Sequence, residues 1–134
     1  MRPKMITVWR LENEQGVGVF SGNCVYKANK KVVQEYGEDY ADDHAPSNHP
    51  SPYDIPEMKT AIKLYYNCGF ESIEQYHMWF TKPYRQALEN VSLCTYKVSP
   101  KHVRKGGCQV MFDRSKAVLV ERRSPAYADY ENNT

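Results

Sequence analysis

Hydrophobic and polar positions alternate near the start of the chain, as they do in a half-buried β-strand. The alternating segment is ITVWRLE (6–12), which is rich in β-branched and aromatic residues. A turn-forming segment, Asn13 to Gly16, then leads into VGVF (17–20). This order predicts a β-hairpin, although Gly16 and Gly18 weaken its second strand because glycine has no side chain to pack.

The last third of the chain shows a similar alternation in three further segments. They are VSLCTYKV (91–98), CQVMFDR (108–114) and AVLVERR (117–123). Each pattern predicts a strand. The polar residues 113–116 predict a tight turn between the last two strands.

Apolar residues between these two strand-rich parts recur at helical spacing. A first helix is predicted over 24–36, with Asn23 as its N-cap and Gly37 as its C-terminal stop. Pro56 suits the first turn of a second helix, which is predicted to end at 68–69. Between these two helices the chain is acidic and rich in proline, which predicts a connecting loop.

Two shorter helices are predicted after the second one. Ser72 and Gln75 have the spacing of a capping box, in which Ser72 accepts from the backbone N–H of Gln75 and the glutamine side chain reaches back. A third helix is therefore predicted at roughly 73–81. Pro83 then opens a short fourth helix, YRQALEN (84–90).

The order of these elements predicts an α+β domain. We expect a small, mainly antiparallel or mixed sheet of about five strands with three to four helices packed on it. At 134 residues the chain fits one domain, which we assign to residues 1–123. Residues 124–134 lack periodicity and are predicted to form a loosely ordered tail.

Charge is distributed unevenly along the chain, although the net charge is only +2. Between Lys31 and Lys59 there are seven acidic residues and no basic one. The segment from Lys97 to Arg123, in contrast, contains eight basic and two acidic residues. Such a distribution either steers partners of opposite sign to two faces or makes the two halves attract one another. The acidic middle opposes a phosphate backbone, so a protein partner is favoured over nucleic acid.

Composition also bears on location and chemistry. The chain contains no run of eighteen apolar residues and begins without a signal-peptide apolar block, which predicts a cytoplasmic protein without a membrane segment. The four cysteines form no C-x-x-C pair and are expected to be reduced. Eleven tyrosines are a heavy load for this length and are typical of an amphipathic pocket or contact surface.

The acidic segment 38–56, EDYADDHAPSNHPSPYDIP, is the first candidate site. His44 and His49 offer imidazole ligands, but their spacing lacks a helical register and a fixed third ligand, so no metal site is predicted. The alternatives are a solvent-facing connection and a contact loop or lid over a site. The segment residues expected to bind a partner or ligand are Asp42, Asp43, His49 and Tyr53.

Arg10 is the second candidate, because it shares a strand face with Ile6 and Val8. A partly buried guanidinium needs an acceptor, which is either a neighbouring carboxylate such as Glu12 or Asp113, or a ligand. Gln109 follows two glycines that let a ligand approach, and the alternative is an ordinary outward-facing polar side chain. Cys108, with His102 upstream, is interpreted as a core residue and not as a nucleophile.

Four segments together resemble a set of small proteins of tailed phages and prophages. They are VWRLENEQGVGVF, HPSPYD, CGFESIEQYHMWF and CQVMFD, and GFESIEQYHMWF is the most specific. This resemblance implies a phage accessory protein made in the bacterial cytoplasm.

The chain is also similar, more faintly, to the ADP-ribosyltransferase fold. That similarity implies that Arg10 holds NAD and that Ser72 or Tyr76 occupies the middle position of the site. Gln109 then stands where a catalytic glutamate is expected. Because glutamine cannot act as that carboxylate, the similarity implies nucleotide binding without turnover.

The sequence therefore supports two functional hypotheses. The leading hypothesis is a phage accessory protein that binds and alters a host protein, such as a defence or regulatory component. The alternative is an NAD-dependent ADP-ribosyltransferase-like enzyme, or a nucleotide-binding relative of one, with Arg10, Tyr76 and Gln109 as catalytic residues and Ser72 as a binding residue. The sequence does not decide between catalysis and binding, and it does not determine the oligomeric state.

Overall fold

Six strands and four α-helices form the part of the chain that a computed structural model describes, namely residues 4–20, 23–48 and 66–126. In chain order they are β1 (Ile6–Glu12), α1 (Cys24–Tyr36), α2 (Glu38–His44), β2 (Asn67–Gly69), α3 (Ile73–Trp79), α4 (Lys82–Ala87), β3 (Ser92–Val98), β4 (Val103–Lys105), β5 (Val110–Phe112) and β6 (Val118–Arg123). Short 3-10 helices span Pro46–Asn48, Pro100–His102 and Arg114–Lys116. The α+β class is confirmed, with six strands where about five were predicted.

The strands form two three-stranded sheets in which every pairing is antiparallel. One sheet has the order β1-β3-β6 and the other β2-β5-β4. Trp9 on β1 and Phe70, directly after β2, exchange two backbone hydrogen bonds of 2.9 and 2.7 Å. The two sheets therefore continue into one another at this point.

Two apolar clusters form the core, one on each face of β1. Val8 packs in the first cluster between the sheets, and Leu11 packs in the second against the helices. The other fully buried members of the first cluster include Cys94, Val98, Val110 and Phe112. The second cluster includes Val32, Ala41, Tyr76, Phe80 and Tyr84. Burial on both faces explains why β1 is rich in large apolar residues.

The first helix has the predicted bounds. α1 ends at Tyr36, and the N–H of Gly37 donates to the carbonyl of Val33 at 2.9 Å. Gly37 has a φ of 90°, which glycine adopts without the steric penalty of a Cβ atom. Asn23 lies at the N-cap position as predicted, but its side chain makes no capping hydrogen bond.

The capping box at the start of α3 is present. The N–H of Gln75 donates to Ser72 Oγ at 3.0 Å. The side chain of Gln75 reaches back, and its Oε1 accepts from the N–H of Glu71 at 2.9 Å. Both hydrogen bonds satisfy donors near the helix N-terminus that have no partner inside the helix.

The predicted loop between the first two helices is wrong in its first part, because 38–44 forms α2. Glu38 and Asp39 lie in the first turn, where acidic side chains interact favourably with the helix dipole. The turn is also held by packing, since Ala41 is fully buried and its carbonyl accepts from the hydroxyl of Tyr84 at 2.9 Å. Most of the helix predicted from Pro56 lies outside the described residues.

Two further predicted elements need correction. The predicted strand 17–20 is reduced to one bridge between Glu12 and Gly18. The predicted helix end at 68–69 belongs instead to β2, whose pairing with β5 decides its conformation. The predicted tight turn at 113–116 is present as a 3-10 helix, and it connects β5 in one sheet to β6 in the other. β4 was not predicted, because a strand of three residues leaves almost no periodic signal.

The predicted loose tail is described only as far as Ala126. Pro125 and Ala126 are buried. The hydroxyl of the buried Tyr76 donates to the carbonyl of Pro125 at 2.6 Å, which attaches this segment to the core. In the described parts of the chain, no helix is long and apolar enough to cross a bilayer.

Candidate functional site

A fully buried carboxylate at the end of β1, Glu12, is surrounded by three arginines. Arg10 Nε lies 2.9 Å from Glu12 Oε2, and Arg114 Nε lies 3.0 Å from the same oxygen. On the other oxygen, Oε1, Arg114 Nη2 is at 3.2 Å and Arg122 Nη2 at 3.6 Å. The hydroxyl of Tyr96 also donates to Oε1. We call Glu12 and its three arginines the arginine cluster.

Strand alternation and strand order build this cluster. Arg10 and Glu12 share the inner face of β1, and Tyr96 projects from the same side of the neighbouring β3. β6 places Arg122 opposite Cys94. The 3-10 helix before β6 supplies Arg114, which is 102 residues from Glu12 in the chain.

Two glycines give the guanidinium groups their space. A Cβ atom on Gly18 would lie 2.9 Å from Arg10 Nη2, and one on Gly16 would lie 2.6 Å from Arg114 Nη2. The carbonyl of Gly16 accepts from Arg10 Nη2 at 3.4 Å, and the carbonyl of Cys68 accepts from Nη1 at 3.0 Å. The glycines that weaken the predicted hairpin therefore leave the space that the arginine side chains occupy.

The cluster holds its carboxylate ionised. Burial by itself raises the pKa of Glu12, but hydrogen bonds from Arg114, Tyr96 and Arg10 outweigh burial, and the pKa lies below its ordinary value. Burial and the hydrogen bond to Glu12 raise the pKa of Tyr96 to about 12. Burial, together with the nearby Glu12 charge, raises the pKa of Cys94 to about 11. At neutral pH the phenol and the thiol are therefore uncharged.

A second charged region lies on α1 and α2. Its five exposed carboxylates, which we call the acidic face, are Glu35, Glu38, Asp39, Asp42 and Asp43. Within the described ranges, none of them forms an ion pair. Because they are exposed and unpaired, their field extends into solvent.

A groove of about 540 Å³ adjoins the acidic face between α1 and the end of α2. Tyr26, which is 61% exposed, lines it from α1, and Asp42 lines it from α2. The lining also includes Val25, Ala45 and Pro46. The lining of the groove therefore combines apolar side chains with an aromatic ring and a carboxylate.

Three aromatic rings also lie next to one another along the end of α1 and along α2. The rings of Tyr36 and Tyr40 are 5.3 Å apart, and those of Tyr40 and His44 are stacked at 4.2 Å. Nδ1 of His44 is 3.0 Å from the carbonyl of Tyr40, four residues earlier in the chain. His44 is thus engaged with its own helix. Among the described residues, no group of three potential metal ligands lies together.

The three residues predicted to be catalytic are buried in the described part of the chain. Arg10 is 7% exposed and bound to Glu12, as the salt-bridge interpretation predicted. Tyr76 is fully buried, and its hydroxyl donates a hydrogen bond to the carbonyl of Pro125. Gln109 is 2% exposed, so its interpretation as outward-facing is wrong. Trp79 Nε1 donates to the carbonyl of the preceding residue, Cys108, at 2.8 Å, and the buried strand β5 begins directly after Gln109.

The residues predicted to bind have different surroundings. Asp42 and Asp43 are exposed on α2, and Asp42 lines the groove. Ser72 caps α3 with its hydroxyl. His49 and Tyr53 lie outside the described residues. The four cysteines are free thiols, with Cys94 the most buried.

From the sequence, Arg114 and Arg122 were considered only among the basic residues of the last third, as a possible nucleic-acid surface with Tyr96 nearby, and that interpretation was disfavoured. Glu12 was named only as a neighbour of Arg10. The available signal was the Arg10-x-Glu12 spacing, because two charged residues on the inner face of one strand require further partners. No local pattern points to Arg114 or Arg122, since their contact with β1 depends on strand order.

Comparison with known proteins places the chain in a class of phage proteins. Residues 1–126 match a protein-family model described as Bacteriophage T4 Y00F protein. The chain therefore belongs to this family, and the predicted relation to small phage proteins is confirmed. No curated protein and no solved structure matches it, and the ADP-ribosyltransferase similarity is without support.

Proposed function

We propose that this phage accessory protein acts in the cytoplasm of the bacterial host by binding a host protein through its acidic face. The observation that carries the proposal is the set of five exposed carboxylates without ion pairs among the described residues. Unpaired exposed charges of one sign attract a partner of opposite sign and accelerate its association. The expected partner therefore presents a basic surface.

The groove supplies the short-range part of this interaction. Charge alone gives little affinity at physiological salt, because exposed charges are screened beyond about 8 Å. Tyrosine rings bury large apolar areas and are enriched among the residues that dominate binding energy. Tyr26 beside the groove and Tyr36 beside the acidic face are 61% and 49% exposed. They are the proposed anchors.

The NAD alternative has less support from the geometry. The three nitrogens of Arg10 already contact Glu12, Cys68 and Gly16. Tyr76 and Gln109 are buried. Binding of NAD at these residues would require the core to open, whereas the acidic face needs no rearrangement.

The proposal is tested by affinity purification from the bacterial host with quantitative mass spectrometry. Asp42→Asn with Asp43→Asn removes two negative charges from the acidic face. The matched control, Glu14→Gln with Glu74→Gln, removes the same charge from two other exposed positions. We expect a basic host protein to be recovered with the parent and the control, and to be reduced at least tenfold with the Asp42 and Asp43 variant.

A second pair of variants separates anchoring from charge. Tyr26→Ala is expected to weaken recovery of the same host protein, whereas Met78→Ala removes an exposed apolar side chain elsewhere and is expected to leave recovery unchanged. Equal recovery by the Asp42 and Asp43 variant and by its control would overturn the proposal.

A further inference from the structure

The arginine cluster carries more positive charge than its carboxylate compensates. Three guanidinium groups lie within 3.6 Å of one carboxylate. Tyr96 and Cys94, with pKa values of about 12 and about 11, add no negative charge at neutral pH. Glu121, the nearest acid along β6, is paired with Arg123. An excess of about two positive charges therefore remains.

The hydrogen bonds within the cluster show where this excess is available. All three nitrogens of Arg10 have acceptors, and its side chain is only 8% exposed. Arg114 uses Nε and Nη2 on Glu12 and Tyr96, and within the described residues its Nη1 has no acceptor. Arg122 forms one ion pair, to Glu12 at 3.6 Å, and its side chain makes no hydrogen bond to any other described residue.

Arg114 and Arg122 also lie side by side at the surface. Their Nη2 atoms contact the same oxygen, Oε1 of Glu12, at 3.2 and 3.6 Å. Their side chains are 36% and 34% exposed. A planar guanidinium presents several N–H donors that match the oxygens of a phosphate, and two adjacent guanidinium groups can bridge one such anion.

We propose that Arg114 and Arg122 form a binding site for a phosphate group, with Glu12 and Arg10 as the buried support that orients Arg114. A phosphate dianion has the charge that would neutralise the cluster, and its oxygens would accept from the outer N–H groups of both arginines. Glu12 keeps Arg114 in place because it holds Nε and Nη2 on the inner side. The site uses no residue of the acidic face and does not depend on the proposed host-protein binding.

The test is a titration of the whole 134-residue chain with inorganic phosphate. Binding is monitored by the amide chemical shifts of the 3-10 helix Arg114–Lys116 and of β6, and separately by thermal unfolding. Sodium chloride at matched ionic strength is the reference. We expect saturable shifts and a rise of the unfolding temperature with phosphate only. Phenyl phosphate is titrated in parallel to distinguish a site for the free phosphate ion from a site for a phosphate monoester. A site for a monoester would bind phenyl phosphate more tightly than inorganic phosphate.

Arg122→Gln is the decisive variant, and Arg123→Gln on the same strand is its matched control for charge. We expect Arg122→Gln to weaken phosphate binding at least tenfold with its circular dichroism unchanged, and Arg123→Gln to bind within threefold of the parent. Arg122→Lys keeps the positive charge but lacks the planar guanidinium with its several N–H donors. Its phosphate affinity is expected to lie between those of Arg122→Gln and Arg123→Gln. Equal effects of phosphate and chloride, or equal weakening by Arg122→Gln and Arg123→Gln, would overturn the site.

Discussion

The acidic face and the arginine cluster differ in how their charges are compensated. Five carboxylates of the acidic face are exposed to solvent, and in the described residues none of them forms an ion pair. In the arginine cluster, one fully buried carboxylate forms ion pairs with three guanidinium groups and accepts a hydrogen bond from a phenol. Water solvates the first set of charges, whereas only protein groups solvate the buried carboxylate.

This difference separates stability from recognition. Removing the one buried carboxylate leaves the guanidinium groups of the cluster without a counter-charge, which is strongly destabilising. Removing an exposed carboxylate changes stability little, because solvent already screens its interactions. The arginine cluster should therefore be sensitive to substitution in folding measurements, and the acidic face in binding measurements.

The largest expected effect on stability comes from Glu12→Gln, which keeps the side-chain volume and removes the central charge. We expect the free energy of unfolding to fall by about 3–5 kcal/mol, because three guanidinium groups lose their common counter-charge. Urea denaturation measures this loss. Glu35→Gln on the acidic face is the matched control and is expected to change stability by less than about 0.5 kcal/mol. Similar losses in both variants would contradict the contrast between the two regions.

The pH dependence of stability sharpens the same comparison. Because the folded-state pKa of Glu12 is lowered, its ionised form stabilises the protein above the unfolded-state pKa, and this contribution is lost as pH falls through the folded-state value. The difference in unfolding free energy between the parent and Glu12→Gln should be constant at neutral pH and should shrink below about pH 4.5. A difference that does not change between pH 7 and pH 3 would contradict this assignment.

A smaller effect is expected at the junction that supports the acidic face. The buried hydroxyl of Tyr84 lies 2.7 Å from Asn29 Oδ1 on α1 and 2.9 Å from the carbonyl of Ala41 on α2. Tyr84→Phe should cost about 0.5–1.5 kcal/mol, the range for loss of a neutral hydrogen bond. Amide exchange should also accelerate in α2 relative to β1. Tyr26→Phe, at an exposed ring, is the control and should affect neither measurement.

Much of the local structure was predictable because local patterns cause it. The bounds of α1, the stop at Gly37 and the capping box of α3 depend on residues close together in the chain, and all three were confirmed. α2 was missed because prolines and aspartates outweighed its helical positions. Its formation depends on burial of Ala41 beneath Tyr84, which belongs to a distant helix.

The candidate site divides in the same way. Strand alternation predicted that Arg10 is partly buried and needs an acceptor, and Glu12 is one of its acceptors. The predicted exposure of Asp42 and Asp43 followed from the acidic pattern of their segment. The outward-facing alternative for Gln109 was wrong, because the neighbouring glycines indicate an open backbone but do not report what packs on the glutamine side chain.

The sequence by itself determined the α+β class, the main helix and strand segments, and the need of Arg10 for a partner. These features depend on side-chain periodicity and on interactions within a few residues. Only the tertiary structure decided that the strands divide into two joined sheets and that Arg114 and Arg122 reach Glu12. The reason is that periodicity reports which side of an element is buried, whereas the order of strands decides which distant residues share that buried side.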